Sequence, residues 1–359
     1  MRYVLFGDGE SPHLLKWARA LAAAPGLELW AASSRGFLTG FDACVPAARR
    51  LALQTKPDAA GGNAALLLKL PALVGWLKRV DPRWVHAHYL SSHGTLAWLA
   101  QKAPGVRAAL VGSAWGSDIL VTPSRSALMR AATRSVLRAC RLSTSDSQVM
   151  ATRMCELGAA EVMVFPFGLE TLPDAGVLAG KDDTLWFANR GLEPIYAPER
   201  ALALFAAAAP PDARLVVAND GSLRRALQAQ AAALGVAGRV EFVGRLSAAV
   251  QAEFYAAARW YLSLPASDSV SVSVLEAMAF GCLPVLSDLP ANRELVRDGD
   301  NGLIVPAGAA APTAGALNAL RARADTVAVA NREWVATQAM FGPCVQRFLR
   351  RLAELQAAP

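Results

Sequence analysis

Cysteines are few in this chain and none has a near neighbour. Cys44, Cys140, Cys155, Cys282 and Cys344 lie far apart, with no C-x2-C pair, which reads as reduced thiols in a cytosolic protein rather than a disulfide framework. Long apolar runs are also missing. None reaches about 18 residues without a charge or a proline, so no bilayer-spanning segment is expected. An apolar strand begins at Tyr3, which leaves no room ahead of it for a signal peptide, and a cytoplasmic location is the expectation. No basic run is interleaved with aromatics, so nucleic acid is not the expected partner. The net charge of +7 and pI near 9.4 instead suit an anionic partner, such as a phosphorylated ligand or a membrane surface. Charged residues are scarce at 18% against 54% hydrophobic, a balance that excludes a disordered chain.

What is present is an alternation of short apolar runs with longer helical patterns, the mark of parallel sheets with crossover helices. At 359 residues two domains are expected. In the first half, Tyr3–Phe6, Leu27–Ala32, Trp84–His88, Arg107–Gly112, Leu142–Ser145 and Val162–Phe165 read as strands. Ser11–Ala23, Leu66–Arg79 and Ser124–Ala139 read as helices. The stretch 35–63, ending in Gly61-Gly62, reads as an irregular insertion of the kind that serves as an acceptor-side loop. A polar, glycine-containing segment at 170–183 reads as the linker. A second series follows, with strands at Thr184–Ala188, Arg214–Ala218, Val240–Val243, Trp260–Leu264, Leu283–Leu286 and Leu303–Val305, and helices at Pro198–Ala208 and Ser222–Leu234. The fold expected is α/β, two Rossmann-like doubly wound domains (1–175 and 184–335) facing a cleft. The tail, 336–359, is expected to be a helix packing back toward the first domain. Ligands in such sheets bind at the carboxyl ends of the strands.

The most informative segment runs from Ser267-Asp268-Ser269-Val270-Ser271-Val272-Ser273 to Val274-Leu275-Glu276-Ala277-Met278-Ala279-Phe280-Gly281-Cys282-Leu283-Pro284-Val285. Its Ser/Val alternation looks like a strand, while Glu276–Phe280 looks like a helix ended by Gly281. A helix starting near Val270 would turn its first N–H groups and partial positive charge toward an anion. The segment resembles the E-x7-E region of the family-4 retaining glycosyltransferases of the GT-B fold. Asp268 stands eight residues before Glu276, and Leu-Glu-Ala-Met-Ala-x-Gly-x-x-Pro-Val follows the family pattern. The resemblance implies that Asp268 contacts the donor sugar and Glu276 the ribose, with the backbone amides of Val270, Ser271 and Val272 on the diphosphate. Asp268 is one methylene shorter than the usual Glu.

Further segments are similar to the family: Phe165-Pro166-Phe167-Gly168, and Ser287–Val296 with Asp298–Gly302. Asn189-Arg190-Gly191-Leu192 occupies the place of the Arg-containing phosphate loop. Arg190 would then grip the diphosphate, since a guanidinium matches phosphate oxygens two at a time. The basic partner found about five residues on is replaced by Ile195 and Tyr196. Base contacts, largely through the backbone in this fold, are expected near Asp220-Gly221 and Gly244-Arg245-Leu246.

The first domain carries weaker signals. Gly7-Asp8-Gly9 is a G-x-G turn without the third glycine, and no acidic residue closes the second strand, so a nicotinamide enzyme ranks last. Beside the resemblance, Gly9 belongs to the turn that closes over the donor phosphates. His86, His88 and His93 allow three readings: a metal site, acceptor-side contact by His88, or packing. Gly112-Ser113-Ala114-Trp115-Gly116-Ser117-Asp118 resembles the family's His-Gly-Ser-Asp turn with Trp115 in place of the histidine. Trp115 is read as a sugar-stacking platform on the acceptor side. Asp118 either orients an acceptor hydroxyl or caps the following turn. Residues 65–79 read as a crossover helix kinked at Pro71, or as an amphipathic segment for an anionic membrane.

The reaction implied is metal-independent transfer of a sugar from a UDP- or GDP-type nucleotide-sugar to a hydroxyl of a glycan or lipid-linked acceptor, without a cofactor. The inner membrane surface is a further partner to test. Two rivals remain at this level: a sugar-nucleotide hydrolase or epimerase of the same fold, and a non-catalytic nucleotide-sugar binding protein.

Overall fold

The computed structural model describes residues 1–55, 64–309 and 311–357. The chain forms two compact units, one of residues 1–165 with 341–359 and the other of residues 166–340.

The first unit is built on seven parallel strands: β1 Arg2–Gly7, β2 Glu28–Ser33, β3 Arg50–Ala52, β4 Trp84–His88, β5 Ala109–Ser113, β6 Cys140–Ser145 and β7 Val162–Val164, in the order β3-β2-β1-β4-β5-β6-β7. Both faces of this sheet are covered, so its central strands are buried on both sides rather than alternating with solvent. Val4, Phe6, Val85 and Ala87 enter one core with Leu73, Trp76 and Leu77. Side chains on the other face, His86 among them, meet Trp17, which also packs against Phe165, Phe341 and Phe348. The last two come from the helix Phe341–Ala357, which is further fixed by Arg351 on Glu161 at 2.6 Å.

The second unit has six parallel strands: β8 Asp182–Ala188, β9 Arg214–Ala218, β10 Val240–Gly244, β11 Ala258–Ser263, β12 Leu283–Ser287 and β13 Leu303–Val305, in the order β10-β9-β8-β11-β12-β13. Alternate residues feed two cores. Trp186, Leu215, Trp260 and Leu262 enter one, and Phe187, Val216 and Tyr261 the other. In each sheet the strand order reverses once, at β1/β4 and at β8/β11. The carboxyl ends flanking a reversal are where a doubly wound sheet opens to a ligand.

Four expectations need adjustment. The boundary falls at Phe165/Pro166 rather than within 170–183. The reason is local: Leu169 N–H donates to the Ala339 carbonyl at 3.0 Å, and Leu169 bridges to Met340. The insertion at 35–63 contains a seventh strand, β3, paired with β2, while 56–63, Gly61-Gly62 included, lie outside the described residues. The stretch 66–79 is not one kinked helix. It is Ala64–Leu67 followed by Leu70–Val80, with Pro71 in the first turn, where its missing N–H costs nothing. The Ser/Val run is helical from Val272, not a strand.

Gly168 shows why a family-like glycine stands there. A Cβ at that position would lie 1.8 Å from the Ala339 carbonyl oxygen, a backbone atom that cannot rotate away. Gly168→Ala is expected to destabilise the second unit by about 3 kcal/mol and to lower its melting temperature by roughly 6–12 °C. Thermal unfolding followed by circular dichroism checks this, and an unchanged melting point would remove the argument.

Candidate active site

In the second unit the carboxyl end of β8 runs directly into Asn189 and Arg190, and the segment after β11 carries Asp268 to the tip of the helix Val272–Ala279. The fold thereby brings Arg190 and Asp268 together across 78 residues of sequence. Arg190 Nη2 donates to Asp268 Oδ2 at 2.6 Å, and its Nη1 reaches the hydroxyls of Ser271 and, at 3.2 Å, Ser273. Both charged side chains are mostly enclosed, 18% and 20% exposed. Burial raises the Asp268 pKa, and the Arg190 guanidinium opposes that rise. Ser271 is the N-cap residue of the helix but makes no side-chain cap bond. Its hydroxyl is engaged with Arg190 and Ser273. Val270, behind it, is buried. The amino end of this helix, its partial positive charge and the guanidinium are thus concentrated in one place, an arrangement suited to a polyanion.

Tyr196 resolves what stands in place of the missing basic partner. Its ring lies against the Arg190 guanidinium, 4.5 Å from centroid to Cζ, a cation–π contact that fixes the arginine without adding charge.

Glu276 joins the same site through a relay that the sequence reading missed. Tyr255 donates to Glu276 Oε2 at 3.0 Å and also contacts the Ser273 carbonyl at 3.2 Å. Asn189 Nδ2 donates to Tyr255 at 2.7 Å and to Gln251 Oε1 at 2.8 Å, while Tyr261 donates to Asn189 Oδ1 at 2.7 Å. Burial holds the Tyr255 hydroxyl pKa well above its usual value, so it is a permanent donor at neutral pH. Asn189, Arg245, Leu246 and Gln251, with Ala218 and Asn219, line a cavity of about 180 Å³. Gly244 precedes it with φ +76°, a conformation that favours glycine. Asn189 was legible as the strand-end neighbour of Arg190. Tyr255 was not, because a tyrosine in an alanine-rich helix reads as packing.

One Asp-x-Asp triplet exists, Asp298-Gly299-Asp300, and bears on the metal-independent expectation. Asp298 accepts from the Ile304 amide at 2.9 Å, and Asp300 pairs with Arg297 and Arg323. Its carboxylates hold a turn.

In the first unit the three histidines are distributed among structural partners. His86 bridges Tyr3 (2.8 Å) and Ser113 (2.6 Å), and His93 bonds Ser34 at 2.9 Å. Burial lowers the His86 pKa to about 3 and that of His93 to about 4, so both are neutral. Among the described residues no group of three His, Cys, Asp or Glu side chains is arranged to hold a metal ion. His88 is 2% exposed and its Nδ1 accepts from the Trp115 indole N–H at 3.0 Å, which leaves its own proton on Nε2. Asp118, 1% exposed, accepts from the backbone amides of Leu90 (2.8 Å) and Trp115 (2.9 Å). Neither side chain reaches the surface, and in this structure both hold the Trp115 loop, the packing reading of His88 and the capping reading of Asp118. Trp115 stacks on Tyr89 with rings 6.1 Å apart and 16° from parallel, and lies 4.8 Å from the His13 ring. Tyr89 has φ +62°, unusual for an aromatic residue, at the end of β4. Gly9 has its amide bonded to Ser33 Oγ at 2.8 Å. A Cβ there would lie 2.4 Å from the Gly36 carbonyl, so the close approach that requires glycine is made by the chain itself.

The comparisons agree with this architecture. Residues 3–147 match the model for "Glycosyl transferase 4-like" proteins, and residues 171–325 match that for "Glycosyl transferases group 1". A phosphatidyl-myo-inositol mannosyltransferase of Mycolicibacterium smegmatis is 32% identical over 195 residues, 50% of this chain and 48% of that protein. Its counterpart from Mycobacterium tuberculosis is 33% identical over 118 residues, 30% of each. The chain thus spans less than half the length of these curated relatives. Among solved structures, Anabaena Alr3699/HepE in complex with UDP-glucose superimposes with a TM-score of 0.78 at 17% identity, over 99% of this chain and 100% of that one. Sucrose-phosphate synthase from Thermosynechococcus elongatus gives 0.78 at 16% identity, over the whole of both chains. With its two doubly wound sheets and a family match on each, the chain belongs to the GT-B glycosyltransferases, carrying a 4-like amino-terminal half and a group 1 carboxy-terminal half.

Proposed function

We propose that this protein transfers a sugar from a UDP- or GDP-type nucleotide-sugar to a hydroxyl of a glycan or lipid-linked acceptor, with retention of anomeric configuration, in surface polysaccharide or lipid-linked glycan assembly. The observation that carries the reading is the convergence of Arg190, Asp268 and the serines of the Val272–Ala279 helix tip, tied to Glu276 through Tyr255. A diphosphate placed there meets a guanidinium and a helix amino end. Asp268 stands beside it for the sugar hydroxyls and Glu276 for the ribose. The cavity at Asn189, Arg245 and Leu246 is adjacent in the hydrogen-bond chain and suits the base. In the reaction the bond from C1 to the phosphate oxygen breaks and a bond to the acceptor oxygen forms, while the acceptor proton passes to the departing diphosphate. The protein's contribution is preorganised positive potential where that charge develops. Trp115 with Tyr89 supplies an aromatic face for an acceptor sugar. UDP-glucose in Alr3699/HepE and the lipid substrate named for the mannosyltransferases support the donor and acceptor classes.

A thermal-shift series with UDP, GDP and their sugars tests the donor class. At a hundredfold excess over Kd the correct nucleotide stabilises by about 2.7 kcal/mol, a rise of roughly 5–10 °C for a unit of this size. No shift with any nucleotide would overturn the reading. Tyr196 in place of a basic residue favours one rival, a binding protein, which would show the shift without turnover. Product formed without acceptor would mark a hydrolase.

A further inference from the structure

Asp183 and Arg259 are the second residues of β8 and β11, the strands that flank the reversal of order in the second sheet. They stand at the amino ends of these strands, the pole opposite Asn189 and Arg190, roughly 20 Å away at the rise of an extended strand. An enclosed arginine needs a counter-charge there. Arg259, 9% exposed, donates from Nε to Asp183 Oδ1 at 2.7 Å. Asp183 Oδ2 in turn accepts from Arg321 Nη2 at 2.7 Å and Nε at 3.1 Å. One carboxylate is thus shared between two guanidinium groups. Arg259 Nη1 is left buried without a hydrogen-bond partner among the described residues. Asp325 Oδ1 lies 3.6 Å from it, beyond hydrogen-bond range, on a side chain that is 91% exposed. A buried donor with no acceptor costs free energy that a ligand oxygen would recover.

These side chains wall a cavity of about 580 Å³, which Arg323, Asn318 and Thr326 also line. Its size falls within the range of small-molecule sites. The cavity lies where the helix Ala314–Arg321 gives way to the helix Ala324–Gln338. The first turn of the second helix, Ala324, Asp325 and Thr326, forms part of the wall. Its N-cap residue, Arg323, makes no side-chain cap bond, so the positive end of the helix is left to whatever occupies the cavity. Arg323 is held at the rim by the Gly299 carbonyl, 2.6 Å from its Nη2. Three guanidinium groups and a helix amino end therefore face two carboxylates, one of them already shared by Arg259 and Arg321. The wall carries a surplus of positive charge.

We propose that this cavity is a second anion site, separate from the donor site, which takes the phosphate group of a small phosphorylated polyol. The phosphate oxygens meet Arg321, Arg323 and the helix amino end. As the Asp325 carboxylate swings out to solvent, Arg259 Nη1 gains the acceptor it lacks. Asn318 and Thr326 supply amide and hydroxyl partners for the polyol. Guanidinium groups approaching from three elements suit a tetrahedral phosphate better than the two oxygens of a planar carboxylate. A nucleotide is a poor fit, because among the described residues no aromatic side chain lines the cavity for a base to stack on. A divalent cation would meet the surplus positive charge. The proposal does not depend on the donor assignment.

The test is isothermal titration of the full chain with glycerol 3-phosphate near pH 8, where the phosphate is about fully dianionic, beside inorganic phosphate and glycerol. Glycerol 3-phosphate is expected to bind at one site, about fivefold tighter than inorganic phosphate, and glycerol not at all. Arg321→Gln and Arg323→Gln should each weaken binding about tenfold. Asp325→Asn, which removes the competing carboxylate from an exposed position, should tighten it about fivefold, a gain that a damaged fold cannot produce. Saturating UDP should leave the affinity unchanged. Absence of binding, equal affinity for phosphate and glycerol 3-phosphate, or wild-type affinity in all three variants would overturn the proposal. So would displacement by UDP, which would put the anion at Arg190. Failure of UDP itself to bind, with the glycerol 3-phosphate results as expected, would remove the donor reading and support this one.

Discussion

Arg190→Ala is expected to lower kcat at least about a hundredfold, corresponding to the roughly 3 kcal/mol that one well-placed charge contributes to a developing oxyanion. The same change should destabilise the second unit by about 3 kcal/mol, because Asp268 loses the guanidinium 2.6 Å away and is left enclosed without its counter-charge. The two effects separate by mutation. Arg190→Ala combined with Asp268→Asn removes the uncompensated carboxylate, so melting temperature should recover while turnover stays low. They also separate by pH. Burial already raises the Asp268 pKa and Arg190 opposes it, so in the single variant the folded-state pKa rises further above the unfolded value. The folded protein then binds a proton the unfolded chain does not, and the stability deficit shrinks as pH is lowered from neutrality. Recovery of both turnover and stability in the double variant would make the pair a structural ion pair and remove Arg190 from the site.

The parts of this molecule that were readable in the sequence share a physical cause. β4, β9, β13 and the helix Pro198–Ala208 fall on the bounds expected, because a strand buried on both faces is a short apolar run and Pro198 sits in a helix's first turn. β3 escaped notice because it is a three-residue edge strand that begins with an arginine, with too few residues to show a period. The Ser/Val alternation at 269–274 imitates a strand because period two and a two-sided apolar helix are indistinguishable over six residues. What resolves it is tertiary: Val274, Leu275, Ala277 and Met278 are all buried around the helix Val272–Ala279, which packs against Ala324–Gln338. Site residues split the same way. Arg190, Asp268 and Glu276 were named by pattern and stand around one helix tip, whereas the place of Tyr255 and Ser273 beside them depends on which strand lies beside which. The pairing of β8 with β11 is what sets Asn189 and Arg190 beside the Asp268 segment. Trp115 was visible as a departure from pattern. Its supports, His88 and Asp118, were visible as residues with a structural and a functional reading left open, since only burial and hydrogen-bond direction distinguish a group placed to touch substrate from one that holds a loop.

Glu276→Ala is expected to lower kcat/KM for the donor about a hundredfold or more and to weaken UDP binding roughly 10- to 100-fold, the range for losing a charged hydrogen bond to a ligand. The loss should appear largely in donor affinity, because a ribose contact is made equally in ground and transition states, with kcat falling to the extent that a loosened nucleotide misplaces the sugar. Tyr255→Phe is the control that gives this meaning. Tyr255 holds one carboxylate oxygen of Glu276 at 3.0 Å and contacts the Ser273 carbonyl at 3.2 Å, so removing its hydroxyl disturbs orientation but leaves the charge. If Glu276 binds the nucleotide, Tyr255→Phe should cost about tenfold or less in UDP affinity, and Glu276→Gln, which keeps an acceptor for Tyr255 but loses the charge, should fall between the two. Should Glu276 serve only to buttress Tyr255, the phenylalanine variant would match the alanine variant in UDP binding. Isothermal titration with UDP alongside donor KM and kcat for the three variants decides between them, and a near-normal donor kcat/KM in Glu276→Ala would take away the ribose assignment altogether.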